Sequence, residues 1–89
     1  MVKYKLEFSK TFLKNLRKID CGNQKIIARW IDRHLHSTAD PRDFGKALKG
    51  DRKGFWRYRI GVYRIIAEIN DGELILLLLE VDHRKDIYR

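Results

Sequence analysis

Apolar and polar residues change their period along the chain, and each change marks an element. Tyr4, Leu6 and Phe8 alternate with Lys3, Lys5 and Glu7, the two-residue period of a half-buried strand. Ser9 stands where a helix N-cap belongs. Phe12, Leu13, Leu16 and Ile19 follow at helical spacing, with Lys10, Lys14, Arg17 and Lys18 turned outward. Asp20, Cys21, Gly22 and Asn23 interrupt the pattern. A second helix then carries Ile26, Ile27, Trp30, Ile31 and Leu35 on one stripe. So short a join predicts an antiparallel helical hairpin, with both stripes packed as core on a sheet and Trp30 among them. Residues 37–45 read as loop, because Asp40-Pro41 cannot continue a helix. Lys46, Ala47, Leu48, Lys49 and Gly50 lead into strands over residues 55–60, 62–70 and 73–81, with Asp71-Gly72 as a hairpin turn. Residues 74–79 are apolar on both faces and predict a central strand covered on both sides. The order β-α-α-β-β-β predicts an α+β fold: a helical hairpin on a mainly antiparallel four-stranded sheet, in one domain over residues 1–89.

Parity along the strands sorts the side chains. With Gly61-Val62 as a two-residue turn, Gly first as a type II′ turn prefers, Ile60 pairs with Tyr63, Arg59 with Arg64 and Arg57 with Ile66. Arg57, Arg59 and Arg64 then share one face. Trp56, Tyr58, Ile60, Tyr63, Ile65 and Ala67 share the other, against the helices. Like charges placed opposite each other repel, so an anion among the arginines is one reading. A solvated face with Glu68 and Glu80 as ion-pair partners is the other.

Charge points the same way. The chain carries a formal +8, and residues 42–64 hold eight Lys/Arg against two acids, whereas residues 65–82 hold five acids and no Lys or Arg. Concentrated positive charge draws polyanions by counterion release, and an acidic protein would use the same charge. Lys46, Lys49, Arg52 and Lys53 extend the basic stretch ahead of the arginines. The one cysteine, Cys21, excludes an intrachain disulfide and suggests a reducing interior; it reads as an incidental thiol rather than a nucleophile. The charged start is unlike a signal peptide, and the apolar run near residue 75 is too short to span a bilayer. His34 and His36 sit two apart and point different ways, so no metal site or cofactor is expected.

Taken together, the first strand running into a basic hairpin, Leu48-Lys49-Gly50, Trp56-Arg57-Tyr58-Arg59-Ile60, Val62-Tyr63-Arg64-Ile65-Ile66 and the closing His83-Arg84-Lys85-Asp86-Ile87-Tyr88 resemble the RelE/ParE superfamily of type II toxin–antitoxin toxins over nearly the whole chain. The resemblance to RelE-like members implies a cytoplasmic messenger endoribonuclease acting in the ribosomal A site by attack of a ribose 2′-OH on the adjacent phosphate. It implies a site of Arg57, Arg59, Arg64, Arg84 and Tyr88, with Lys46, Lys49, Arg52 and Lys53 on ribosomal RNA, and a cognate antitoxin offering an acidic amphipathic segment. RelE carries lysines where this chain has Arg57 and Arg59, and arginine cannot act as a base. His83 or Tyr88 then handles the protons. ParE-like members, which bind DNA gyrase, and an inactive antitoxin-binding relic are the alternatives.

Overall fold

The computed structural model describes residues 3–83, so Arg84 and Tyr88 lie outside the described residues. Strand β1 (Lys5–Phe8) runs straight into helix α1 (Lys10–Arg17), and Ser9 sets the corner. Its Oγ accepts the Phe12 N–H at 2.9 Å and donates to the Leu79 carbonyl at 2.6 Å, so one hydroxyl caps the helix and ties it to the sheet. Helix α2 (Cys21–His34) starts earlier than the sequence pattern suggested, because the Asp20 carboxylate accepts the Asn23 N–H and caps it. The interruption between the helices is therefore narrow. Cys21, in the first turn, is exposed.

Among the described residues five strands form one sheet in the order β1-β5-β4-β3-β2, with β2 (Lys46–Ala47), β3 (Trp56–Ile60), β4 (Tyr63–Asn70) and β5 (Ile75–His83), and only β1 and β5 pair in parallel. The fifth strand is the two-residue β2, whose Lys46 and Ala47 pair with Arg57 and Trp56; so short a pairing leaves no alternation to read in the sequence. The β3–β4 register is the one parity requires, with Ile60 on Tyr63, Arg59 on Arg64 and Arg57 on Ile66. Gly61 has φ 58° and Val62 has no positive φ, as a type II′ turn requires. The β4–β5 turn is longer than two residues. Asn70 pairs with Ile75, Leu74 adopts φ 56°, and the Asn70 side-chain oxygen accepts the Glu73 N–H at 3.0 Å.

Both helices lie on one sheet face. Phe12, Ile27, Ile31 and Leu35 meet Tyr58, Ile65, Leu76, Leu78 and Val81, all buried. Each such side chain contributes about 1.5–3 kcal/mol. Ile26, expected on the α2 stripe, is 56% exposed, and Trp30 is half-buried at the core margin, stacked on His34 and packed against Phe44 and Tyr58. Strand β5 is interior in the sheet but covered on one side: Leu76 and Leu78 are buried, whereas Ile75, Leu77 and Leu79 are half-buried.

One irregularity decides which side chains share a face. Ile66 pairs with Glu80 and Ala67 with Leu78, so Leu79 is an extra residue in β5. A β-bulge of this kind shifts the alternation by one. Before it, Leu76 and Leu78 face the helices; after it Val81 does, and Glu80 and Asp82 turn to the opposite face.

Candidate functional site

The face away from the helices carries the basic residues in two rows across the strands. One row reads Lys46, Arg57, Ile66, Glu80; the next reads Arg59, Arg64, Asp82. Arg59 is exposed, Arg57 half-buried and Arg64 only 2% exposed, beside the equally buried Ile66. Arg59 and Arg64 stand directly opposite each other, an arrangement in which like charges repel.

Neither Glu68 nor Glu80, the acids the solvated reading names, makes an ion pair to Arg57 or Arg59 among the described residues. Glu80 is engaged by Arg52 Nη1, reaching across from the loop between β2 and β3. Among the described residues neither Arg57, Arg59 nor Glu68 belongs to an ion pair. Arg52 thus lies against the arginine face and Lys46 stands in its first row. Lys49 and Lys53 are exposed on the adjoining loop.

His83 lands elsewhere. It pairs with Tyr63 and its ring meets the Tyr63 ring edge-on, with centroids 5.6 Å apart. Tyr63 belongs to the helix face, so the bulge at Leu79 carries His83 across the sheet from Arg59 and Arg64. There it lines a polar cleft of about 540 Å³ with Asn15, Lys18, Asp20, Tyr63 and Asp82. Glu80 lies on the arginine face, where the solvated reading put it as an ion-pair partner. Counted by strict alternation from Leu76 and Leu78, it would point at the helices.

Two supports hold β3 in place. The Tyr58 hydroxyl is fully buried and donates to the Pro41 carbonyl at 2.6 Å; desolvation pushes its pKa well above the usual phenol range. Gly45, with φ 86°, lets the loop touch β3 so closely that a Cβ there would lie 2.0 Å from the Arg57 carbonyl oxygen. Trp56 Nε1 donates to the Phe44 carbonyl at 2.6 Å beside it. Farther off, Arg42 makes a two-point bond to Asp71 at 2.9 Å and the Tyr4 hydroxyl donates to the same carboxylate. These bonds hold the Asp71 pKa down at about 2. His34 is stacked on Trp30, and its Nδ1 lies 2.9 Å from the Trp30 carbonyl. No helix among the described residues is long and apolar enough to cross a membrane.

Comparison with known proteins agrees with this architecture. Residues 6–88 match the family described as ParE toxin of type II toxin-antitoxin system, parDE. The chain is 31% identical over 87 residues to Toxin RelG of Mycobacterium tuberculosis, covering 97% of each chain. It is 35% identical over 86 residues to Toxin RelE3 of Methanocaldococcus jannaschii, covering 94% of each. Among solved structures, the toxin–antitoxin complex RelBE2 from M. tuberculosis superposes with a TM-score of 0.80 at 28% identity, covering 93% of this chain and 100% of that one. The RelB–RelE antitoxin–toxin complex from Methanococcus jannaschii gives 0.70 at 31% identity, covering 92% and 94%. With its hairpin-on-sheet fold and a family match over nearly its whole length, the chain belongs to the RelE/ParE superfamily and is a toxin of a type II toxin–antitoxin system.

Proposed function

We propose that this toxin is a ribosome-dependent endoribonuclease that cuts messenger RNA in the A site and so halts translation. The observation that carries this reading is the face of Lys46, Arg57, Arg59 and Arg64, with neither Arg57 nor Arg59 in an ion pair among the described residues. Guanidinium groups match phosphate oxygens in geometry and keep their charge at any cellular pH. In the reaction, the ribose 2′-oxygen bonds to phosphorus and the P–O5′ bond breaks, leaving a 2′,3′-cyclic phosphate and a 5′-hydroxyl. Arg59 and Arg64 hold the scissile phosphate and stabilise the charge that builds on its oxygens. Arg57 and Lys46 neutralise the neighbouring backbone. Arg84 and Tyr88 join the set through the family resemblance, Arg84 on the phosphate and Tyr88 stacking on a base to splay the nucleotides. Lys49 and Lys53 grip ribosomal RNA from the adjoining loop. His83, turned to the helix face, is poorly placed to take the 2′-OH proton.

The partner that restrains this toxin is a cognate antitoxin, and the cell compartment is the cytoplasm, where ribosomes are. Relatives at 28% and 31% identity were solved as RelBE2 and RelB–RelE complexes. An apolar groove of about 450 Å³ runs between β1 and the hairpin, lined by Leu6, Phe8, Phe12, Leu13, Leu16 and Ile31, with Phe8 43% and Leu13 40% exposed. Basic Lys10, Lys14 and Arg17 belong to the same helix. The apolar side of an amphipathic segment fits this groove, which Asp32 also lines, and its acidic side fits the basic residues of α1.

The test is primer extension on a translated reporter message after brief induction of the wild-type chain or of Arg59→Glu. New cleavage sites in translated regions that vanish in the variant support the reading. The family description names ParE, so a gyrase supercoiling assay runs beside it. Intact message with growth still arrested and gyrase inhibited moves the assignment to a ParE-like gyrase inhibitor. Intact message without arrest leaves an inactive antitoxin-binding relic.

A further inference from the structure

Attack by a ribose hydroxyl requires an acceptor for its proton, and arginine cannot serve. The bulge at Leu79 that removes His83 from the arginine face brings two carboxylates onto it, Glu80 opposite Ile66 and Asp82 opposite Arg64. They are not equivalent. The Asp82 carboxylate folds back on its own strand and accepts the His83 N–H at 2.8 Å. Glu80 is held at Oε1 by Arg52, its side chain one third exposed, and its Oε2 takes no hydrogen bond among the described residues. Diagonal neighbours across an antiparallel pair stand about 7–8 Å apart, within reach of long side chains, and Glu80 is diagonal to Arg64. A phosphate held on this face by Arg59 therefore shares it with the Glu80 carboxylate.

Resting on the ribonuclease reading above, we propose that Glu80 is the general base of the cleavage, with Arg52 as its positioning residue. Glu80 Oε2 takes the proton of the 2′-hydroxyl as the 2′-oxygen bonds to phosphorus. The P–O5′ bond breaks, and the leaving 5′-oxygen takes a proton from solvent. The Glu80 proton then returns to solvent, so the protons balance. Glu80 is faced by Arg52 from the loop, Arg64 from β4 and, beyond Ile66, Arg57 from β3, with Asp82 on its own strand. The ion pair to Arg52 also restricts the rotamer, so the base is aimed before substrate arrives.

The experiment measures single-turnover cleavage by the full chain on programmed ribosomes. A parallel binding assay uses the same message with a 2′-deoxy nucleotide at the cleaved position. Glu80→Gln is expected to bind the deoxy message within about 2-fold of wild type and to cleave the normal one about 100-fold or more slowly, the usual scale of a lost general base. Glu80→Asp, which keeps a carboxylate one methylene farther back, is expected to cleave at an intermediate rate. Cleavage by Glu80→Gln at the wild-type rate overturns the proposal. So does loss of deoxy-message binding in step with cleavage, which marks a gripping role, and so does equal slowing in the Asp and Gln variants. If the wild-type chain cleaves nothing with or without ribosomes, the ribonuclease reading itself fails and Glu80 has no reaction to serve. That result is distinct from wild-type cleavage that Glu80→Gln leaves unchanged.

Discussion

Replacing Gly45 by alanine probes the close approach that sets Arg57 in its row. Two costs add. The residue has φ 86°, and an L side chain in the left-handed region loses about 1–2 kcal/mol. The new Cβ would also sit 2.0 Å from the Arg57 carbonyl oxygen, whereas ordinary contact begins at 3.4 Å, so loop and strand must part. The shortest contact is to backbone, which no side-chain rotation relieves, and Trp56 Nε1 lies 3.0 Å away as well. Parting them strains the 2.6 Å bond from Trp56 Nε1 to the Phe44 carbonyl, worth roughly 0.5–1.5 kcal/mol. The sum is about 1.5–3.5 kcal/mol. At about 4–8 °C per kcal/mol for a domain of this size, the melting temperature falls by roughly 6–28 °C. Thermal unfolding followed by far-ultraviolet circular dichroism measures it. Gly54→Ala is the control: its φ is 101°, but nothing lies within 4 Å of the added Cβ, so it carries the conformational cost alone. If the two variants melt within about 3 °C of each other, the contact with Arg57 is not what fixes this loop, and the reasoning fails.

Tyr58→Phe keeps the ring and strands the buried Pro41 carbonyl; a loss of about 1–3 kcal/mol is expected in urea unfolding, and a change below about 0.3 kcal/mol would show that the bond contributes little. Arg57→Glu should leave the melting temperature within a few degrees while removing message cleavage and growth arrest; full toxicity with confirmed expression would remove Arg57 from the site. Asp71, with a pKa of about 2 when folded, lies below its unfolded value, so its bonds to Arg42 and Tyr4 stabilise the fold at neutral pH and lose that contribution as pH falls from about 4 toward 2. Asp71→Asn should therefore lower the urea midpoint at pH 7 and flatten its decline with acid; parallel declines in wild type and variant would contradict the linkage.

Much of this fold was legible because its signals are local. Ser9 caps α1 because a hydroxyl at that position can reach a free N–H three residues on, whatever surrounds it. Gly61 fixed the β3–β4 register to the residue, since a two-residue turn leaves no slack and the type II′ geometry wants glycine first. From that register alone Arg57, Arg59 and Arg64 fall on one face. The positions that escaped are those where the pattern offers no contrast. Two residues of β2 show no period. Ile26 and Leu13 carry apolar side chains at helical spacing yet stay exposed, since spacing says which stripe a residue is on but not how far the sheet extends beneath it.

The bulge at Leu79 is the instructive case. It lies in the run from Ile75 to Leu79, where every side chain is apolar and a slip of one residue leaves the sequence pattern unchanged. Only the fit of β5 against β4 on one side, with Ser9 bonded to the Leu79 carbonyl on the other, decides where the extra residue goes. That decision sets everything after it: His83 goes with Tyr63, and Glu80 and Asp82 go with the arginines. The sequence by itself determined the elements, the β3–β4 hairpin and its basic face, because periodicity and turn chemistry act over a few residues. Packing settled that His83 leaves that face while Glu80 and Asp82 lie on it, because the bulge resets the alternation within an all-apolar run.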